Sequence, residues 1–356
     1  MYLPYMVGRN SDCMRPCYVR EQHWSSSRGK RPVKSAIKVM VCAASNTAIN
    51  EIVNRLMTGG IIDYDGSQRL ADLKVVRVGA GANSSHDMDP AIKRRIESCT
   101  LENLVRAKHS REFNSAYGSD FKAHQRCLLE EADIICCTLS TAGIRSLDLP
   151  DMGIDVLIID EATQAVEPST LIPFQFQPRI TVLVGDPQQL RPTVISTRAS
   201  QLGYGTSLFE RMLKAGHSAF MLKEQYRMHE EIVAFSNRYF YENKLQSHVS
   251  CACRKLNMHK TPQFGPLALH QVDGRQERVE KSLANLKEAQ YVVDLIVEAF
   301  SNFPTDMVGR SIGVIAPYSA MRNKLVELLG NKRLQSSQLE AIQVSTIDSF
   351  QGKVTK

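Results

Sequence analysis

Residues 155–168 read DVLIIDEATQAVEP, and the fold depends on how this run is understood. Val156, Leu157, Ile158 and Ile159 are consecutively apolar, the pattern of a strand buried on both faces of a parallel sheet. Asp160 and Glu161 follow at once, where such a strand leaves the sheet at its carboxyl edge. Open α/β sheets bind their ligands at that edge. An apolar strand delivering an Asp is the Walker-B arrangement, in which the carboxylate holds Mg²⁺ against a nucleotide's phosphates. The adjacent Glu can orient or deprotonate an attacking water. The run by itself also fits a buried strand followed by an acidic helix start, since carboxylates favour the positive end of the helix dipole.

The chain has 356 residues, enough for two domains with their own cores. A hydrophobic share of 43% and an aromatic share of 7% are those of a globular chain, and no apolar stretch reaches the length of a membrane span. The start, MYLPYMVGRN, lacks a basic region followed by an apolar one, so no secretory signal is expected. The nine cysteines are scattered. Cys13/Cys17, Cys136/Cys137 and Cys251/Cys253 are the close sets, and none repeats with zinc-site spacing. Cys136 and Cys137 lie in an apolar run and read as buried thiols, and a reducing compartment, nuclear or cytoplasmic, follows.

The net charge of +7 is unevenly placed: residues 1–38 carry eight Lys/Arg against only Asp12 and Glu21. Basicity therefore reports the tail and is weak support for a nucleic-acid surface on the core. Residues 1–36 show no sustained periodicity and read as a disordered basic tail. A basic, acid-poor start also fits, less well, an organelle transit peptide.

Working outward, IKVMVCA from Ile37 reads as a buried strand, and Ser45 caps a helix with Ile49, Ile52, Val53 and Leu56 on one face. A turn at Gly59-Gly60 and a strand over Leu73–Val78 follow. Residues 83–131 read as a charged helical insertion packed on the sheet. Ile134–Thr138 is a strand followed by the turn-like STAG, and Ile180–Val184 a strand leading to GDPQQL. Such alternation predicts a parallel, doubly wound sheet over 37–192. Residues 193–206 read as a linker. A second alternation covers 207–356: a helix at 207–214, a strand at 219–222, a helix near 229–240, a long helix over 282–300, strand SIGVIAP, a helix at 319–329 and strand IQVST.

From Ile37 to Lys353 these stretches resemble a superfamily 1 helicase of the group containing the nonsense-mediated-decay helicase and senataxin. VCAASNTAINEI is similar to motif Ia, VVRVG to Ib, CTLSTAG to Ic, DEATQ (160–164) to motif II and GDPQQL (185–190) to motif III. SLFERML, QYRM (225–228), SLANLKEA, IAPY (315–318) and VSTIDSFQG (344–352) follow in the family's order. DEATQ, GDPQQL, QYRM and TIDSFQG together are very specific. The resemblance implies an α/β chain of two tandem RecA-like, P-loop-NTPase-type domains with parallel sheets, using ATP and Mg²⁺ to move along single-stranded RNA or DNA and unwind duplexes, with a lean towards 5′-to-3′ movement.

It assigns Asp160 to Mg²⁺, Glu161 to the attacking water, and Gln164 and Gln189 to sensing the γ-phosphate or its water. Arg227 would stabilise charge on the transferring phosphoryl group, Tyr226 would stack on adenine, and Gly352 would lie in the nucleotide site. Ser45, Asn46, Thr138, Ser140, Pro317, Tyr318, Thr346 and Asp348 would follow the sugar-phosphate backbone. Ser45 as a helix cap and Tyr318 as a half-buried turn aromatic are equally good readings.

The sequence also departs from the family. No GxxxxGK[ST] precedes Ile37; the nearest candidate, Gly29-Lys30-Arg31, has Arg in place of the hydroxyl residue and Trp24 in place of the first Gly. After SFQGK, Val354 replaces the family's acidic residue, and no motif VI follows before Lys356. Ala44 stands for the Pro of motif Ia and Met321 for the Gln after IAPY. The chain thus reads as an incomplete, ATPase-impaired helicase segment whose first sheet lacks its P-loop strand. Weak ATP affinity and low stability are expected, unless the tail fills the gap beside the strands left unpaired. The alternative is a module that binds nucleic acid or a partner without turnover.

Overall fold

A computed structural model describes residues 5–9, 37–62, 68–69, 73–79, 89–112, 121–144, 153–332 and 334–350, in two units, Tyr2–Leu222 and Lys223–Lys356. In the first unit the strands are β1 (Tyr5–Arg9), β2 (Val39–Ala43), the two-residue pair β3 (Ile61–Ile62) and β4 (Gln68–Arg69), β5 (Val75–Val78), β6 (Ile134–Thr138), β7 (Val156–Asp160) and β8 (Ile180–Val184). One sheet has the order β1-β8-β7-β2-β6-β5, with all neighbours parallel except β1, which runs antiparallel to β8.

Side chains alternate across the strands, so consecutive apolar residues feed two cores. Met40, Cys42, Ile135, Cys137, Leu157 and Ile159 face one cluster, and Val41, Ala43, Ile134 and Cys136 the other. That double burial is why these strands read as unbroken apolar runs. Cys136 and Cys137 are buried thiols, as expected, with Cys137 Sγ 3.7 Å from Cys42 Sγ.

The helices of this unit are α1 (Asn46–Gly59), α2 (Pro90–Cys99), α3 (Leu101–Glu112), α4 (Phe121–Glu131), and the short α5 (Leu139–Ala142), α6 (Glu167–Leu171), α7 (Thr197–Gln201) and α8 (Leu208–Lys214). Ser45 caps α1 by accepting from Ala48 N at 3.2 Å.

In the first unit four expectations differ from the structure. The tail, expected without structure over 1–36, supplies β1, because β8 otherwise exposes an unpaired edge that a five-residue strand satisfies; residues 10–36 lie outside the described residues. The helices of 83–131 are core layers rather than an insertion: Ile96 and Cys99 pack in one cluster, Leu101, Val105 and Leu129 in the other. STAG is not a turn, because Thr138 caps α5 by accepting from Thr141 N. The first unit also runs through the expected linker at 193–206 to Leu222, since Leu208 and Phe209 of α8 are buried in its core.

The second unit contains β9 (Glu224–Gln225) and β10 (Gln246–Ser247), paired in parallel, the hairpin β11 (Glu277–Val279) and β12 (Ser282–Ala284), and the parallel pair β13 (Ile312–Ala316) and β14 (Ile342–Thr346). Its helices are α9 (Glu230–Phe240), α10 (Leu286–Asn302), α11 (Pro304–Met307), α12 (Ser319–Gly330), α13 (Ser336–Glu340) and α14 (Ile347–Phe350). Ala289, Val293, Ile296 and Phe300 of α10 and Leu325 and Leu329 of α12 bury Val314 and Ala316 of β13. The long helix begins four residues later than expected, at Leu286, because Asn285 caps it and 282–284 pair as β12. The expected strand at 219–222 is displaced to Glu224–Gln225.

Candidate functional site

β7 ends at Asp160, opposite Ala43 at the end of β2, so the carboxylate lies on the carboxyl edge of the parallel sheet. Burial pushes the Asp160 carboxyl above its ordinary value of 3.8, while the Glu161 backbone and Arg55 pull it down less strongly. The next residue breaks the strand abruptly. Glu161 is left-handed, with φ 50° and ψ 39°, a conformation uncommon for a residue with a side chain. Strained backbone of this kind persists where the surroundings enforce it, often at functional positions. Ala162–Gln164 continue as one 3₁₀ turn, which brings Gln164 back over Glu161, and Gln164 Nε2 donates to Glu161 Oε2 at 2.8 Å.

The neighbouring strand ends in a second turn locked to the first. The Asp186 amide donates to Thr163 Oγ1 at 3.3 Å. The Asp186 carboxylate accepts from Gln188 N at 3.0 Å and from Gln189 Nε2 at 2.9 Å. Gly185 is required by this closeness: a Cβ there would stand 3.0 Å from the Thr163 amide nitrogen. Asp160, Glu161, Gln164 and Gln189 are therefore held on adjoining strand ends, both glutamines engaged by carboxylates. Sequence reasoning missed Asp186 and Thr163. GDPQQL marked a turn, but nothing in it showed that Asp186 is only 1% exposed and organises that turn. Replacing Thr163 by Val removes the hydroxyl that accepts from the buried Asp186 amide and is expected to cost about 1–3 kcal/mol, visible as a lower Tm.

The raised Asp160 value has its own consequence. The folded state binds this proton more tightly than the unfolded chain, so stability falls as pH rises from the ordinary Asp value through the folded one, and the penalty is complete above it. Asp160→Asn is expected to melt higher than the natural protein at pH 7, and the difference should vanish below the ordinary Asp range.

The fit of Asp160 to a magnesium ion follows from its chemistry. Among the described residues no group of three or more His, Cys, Asp or Glu could form an all-protein cage. Mg²⁺ bound through one or two carboxylates plus substrate phosphates needs no such cage. A carboxylate disfavoured in its charged form by burial gains from a cation.

The same sheet edge carries the first half of the expected nucleic-acid track. Ser45 is exposed at the start of α1, with its hydroxyl capping the helix. Asn46 is half-buried, its Oδ1 accepting from Arg77 Nη2 at 2.7 Å. Thr138 is buried and shares a 2.8 Å hydrogen bond with Thr141, while Ser140 is exposed on α5.

In the second unit, the turn after β9 is built by Gln225, 1% exposed. Its Oε1 accepts from Arg227 N at 2.9 Å and Met228 N at 2.7 Å, and its Nε2 donates to Met228 O and Ser247 Oγ. Gln225 is a third residue that sequence reasoning passed over. Tyr226 is 53% exposed, with its ring against His248 at 4.5 Å and its hydroxyl donating to Glu224 at 2.6 Å. Exposed Pro317 and Tyr318 follow β13, and half-buried Thr346 ends β14 in register with Ala316. Asp348 lies on α14 beyond the end of β14. Gly352 lies outside the described residues.

One family model, described as an AAA domain, matches residues 16–118 and 101–197; a second with the same description matches 204–356. The chain is 35% identical over 333 residues to the probable helicase MAGATAMA 3 of Arabidopsis thaliana, covering 90% of this chain and 39% of that protein. It is 34% identical over 300 residues to helicase sen1 of Schizosaccharomyces pombe, covering 82% of the chain and 18% of the relative. With the ATP-dependent helicase upf1 of the same yeast it shares 29% over 345 residues, 91% of the chain and 35% of the relative. The chain spans well under half the length of these relatives.

Proposed function

The chain belongs to the superfamily 1 helicases, in the group of the nonsense-mediated-decay helicase and senataxin, and from that membership we propose that the whole protein hydrolyses ATP to translocate along and unwind RNA or DNA. The observation that carries this reading is the end of β7, where a half-buried Asp is followed by a left-handed Glu clipped by Gln164. Asp160 would hold Mg²⁺, which when bound neutralises charge on the phosphates. Glu161 orients the attacking water and takes its proton, and Gln164, now occupied by Glu161, is placed to exchange that bond for one to the γ-phosphate or the water. Gln189 has the same choice against Asp186.

Arg227 is assigned to the charge on the transferring group, its backbone fixed by Gln225. Tyr226 offers an exposed ring for adenine stacking, with His248 against one side. Gly352 is assigned to the nucleotide site. Ser45, Asn46, Thr138, Ser140, Pro317, Tyr318, Thr346 and Asp348 contact phosphate and sugar of a single strand, which positions it without reading its sequence. Among the described residues no helix is long and apolar enough to cross a membrane, and the proposed site of action is nuclear or cytoplasmic.

Steady-state ATP turnover with and without poly(U) tests the proposal. Turnover stimulated by the polymer supports it; binding of poly(U) with no turnover at saturating Mg²⁺-ATP would replace it with a non-catalytic binding module.

A further inference from the structure

We propose that Arg77 is a positioning residue for nucleic-acid binding: from within β5 it fixes the Asn46 amide so that its NH₂ group is presented to a backbone phosphate. This rests on the assignment of Asn46 to the nucleic-acid track.

β5 is buried at all four positions, and Arg77 among them is 0% exposed. A guanidinium in such a place must spend its five donors inside the protein. Arg77 Nη2 donates to Asn46 Oδ1 at 2.7 Å, Nε donates to Asn50 Oδ1 at 3.2 Å, and Nη1 donates to Val78 O. The side chain thus ties β5 to the first two turns of α1.

A guanidinium has no acceptor, so it decides which way each amide faces. Flipping Asn46 would set NH₂ against N–H, so its oxygen stays on Arg77. The same lock acts on Asn50, and there the outcome is costly: Asn50 Nδ2 is buried without an acceptor. Asn46 Nδ2 is not sealed in this way, and among the described residues it has no protein acceptor. One lock therefore leaves an internal donor wasted and an outer donor available. Asn46 is also the first residue of α1, beside backbone N–H groups that suit an acceptor-only ligand such as phosphate. The backbone closes over the guanidinium at Gly79, whose φ is +104° and whose added Cβ would meet Thr141 Oγ1 at 3.0 Å and Arg77 Nη1 at 3.4 Å. Arg77 is packed beneath Asn46 without reaching the surface.

The test is binding of fluorescein-labelled oligo(U) RNA to the whole protein by anisotropy across a range of salt. Arg77→Met is expected to weaken binding about tenfold, the size of a lost hydrogen bond to a charged group. The slope of log Kd against log salt should stay unchanged, because Arg77 neutralises no phosphate. Asn46→Ala should weaken binding similarly, and the double variant should be no weaker than either. Asn46→Asp keeps an acceptor for Arg77 but removes the outward donor; it should bind at least as poorly as Asn46→Ala while melting no lower than the natural protein, which tests the orientation even if Arg77→Met does not fold. A slope reduced by about one in Arg77→Met would mean direct phosphate contact and overturn the proposal. Additive losses, or Asn46→Asp binding normally, would also overturn it. If Asn46→Ala weakens binding and folded Arg77→Met does not, the positioning role alone fails. If Asn46→Ala has no effect, the assignment of Asn46 itself fails.

Discussion

Glu161→Gln is expected to lower the proposed nucleic-acid-stimulated kcat of the whole protein by about 10²–10⁴-fold, the range for removing a positioned general base. The change is nearly isosteric, and the left-handed backbone that aims this side chain is set by the turn, so the fold should be retained. The amide can still meet Gln164, but it cannot take a proton from water. Single-turnover hydrolysis after rapid mixing separates the effects. The chemical step should slow by the full factor while ATP affinity changes little, because Asp160 is untouched. A variant with normal single-turnover rates would remove Glu161 from the chemistry.

Arg227→Ala is expected to have the other large effect, about 10³-fold or more in kcat, the scale of an arginine that neutralises phosphoryl charge in the transition state. Arg227→Lys should recover little, since a point charge does not reproduce the planar fork. The geometry behind this lies two residues earlier. Gln225 is buried with both ends of its amide occupied, and its Oε1 holds the Arg227 and Met228 amides. Titration of a fluorescent ATP analogue should show that Arg227→Ala binds nucleotide nearly normally. A loss confined to affinity, with kcat unchanged, would make Arg227 a ground-state contact.

Much of this was legible in the residues, for a physical reason. Strands buried on both faces must be continuously apolar, so β2, β6, β7 and β8 declared themselves, and their following turns carry the family's motifs in order. What escaped was decided by tertiary context. The left-handed Glu161 runs against the preference of any residue with a Cβ. Asp186 and Gln225 look like turn formers in sequence, and only burial shows that they hold Gln189 and Arg227 in place. The helices α2 to α4 hid their core role behind charge, because Ile96, Leu101, Val105 and Leu129 are thinly spaced among lysines, arginines and glutamates. The segment YMVGR was too short to show a period, and an open edge on β8 gave it a partner. The unit boundary moved to Leu222 because the apolar pattern of α8 says that Leu208 and Phe209 are buried, not in which core.

In the proposed function, the acidic end of β7 drives a nucleic-acid motor. Strand displacement tests it most directly, using a fluorophore- and quencher-labelled RNA duplex with a 5′ single-stranded tail and the whole protein. Release of the labelled strand is expected with Mg²⁺-ATP, none without ATP, and none by Glu161→Gln despite RNA binding. Displacement that proceeds equally without ATP, or equally well in Glu161→Gln, would contradict it.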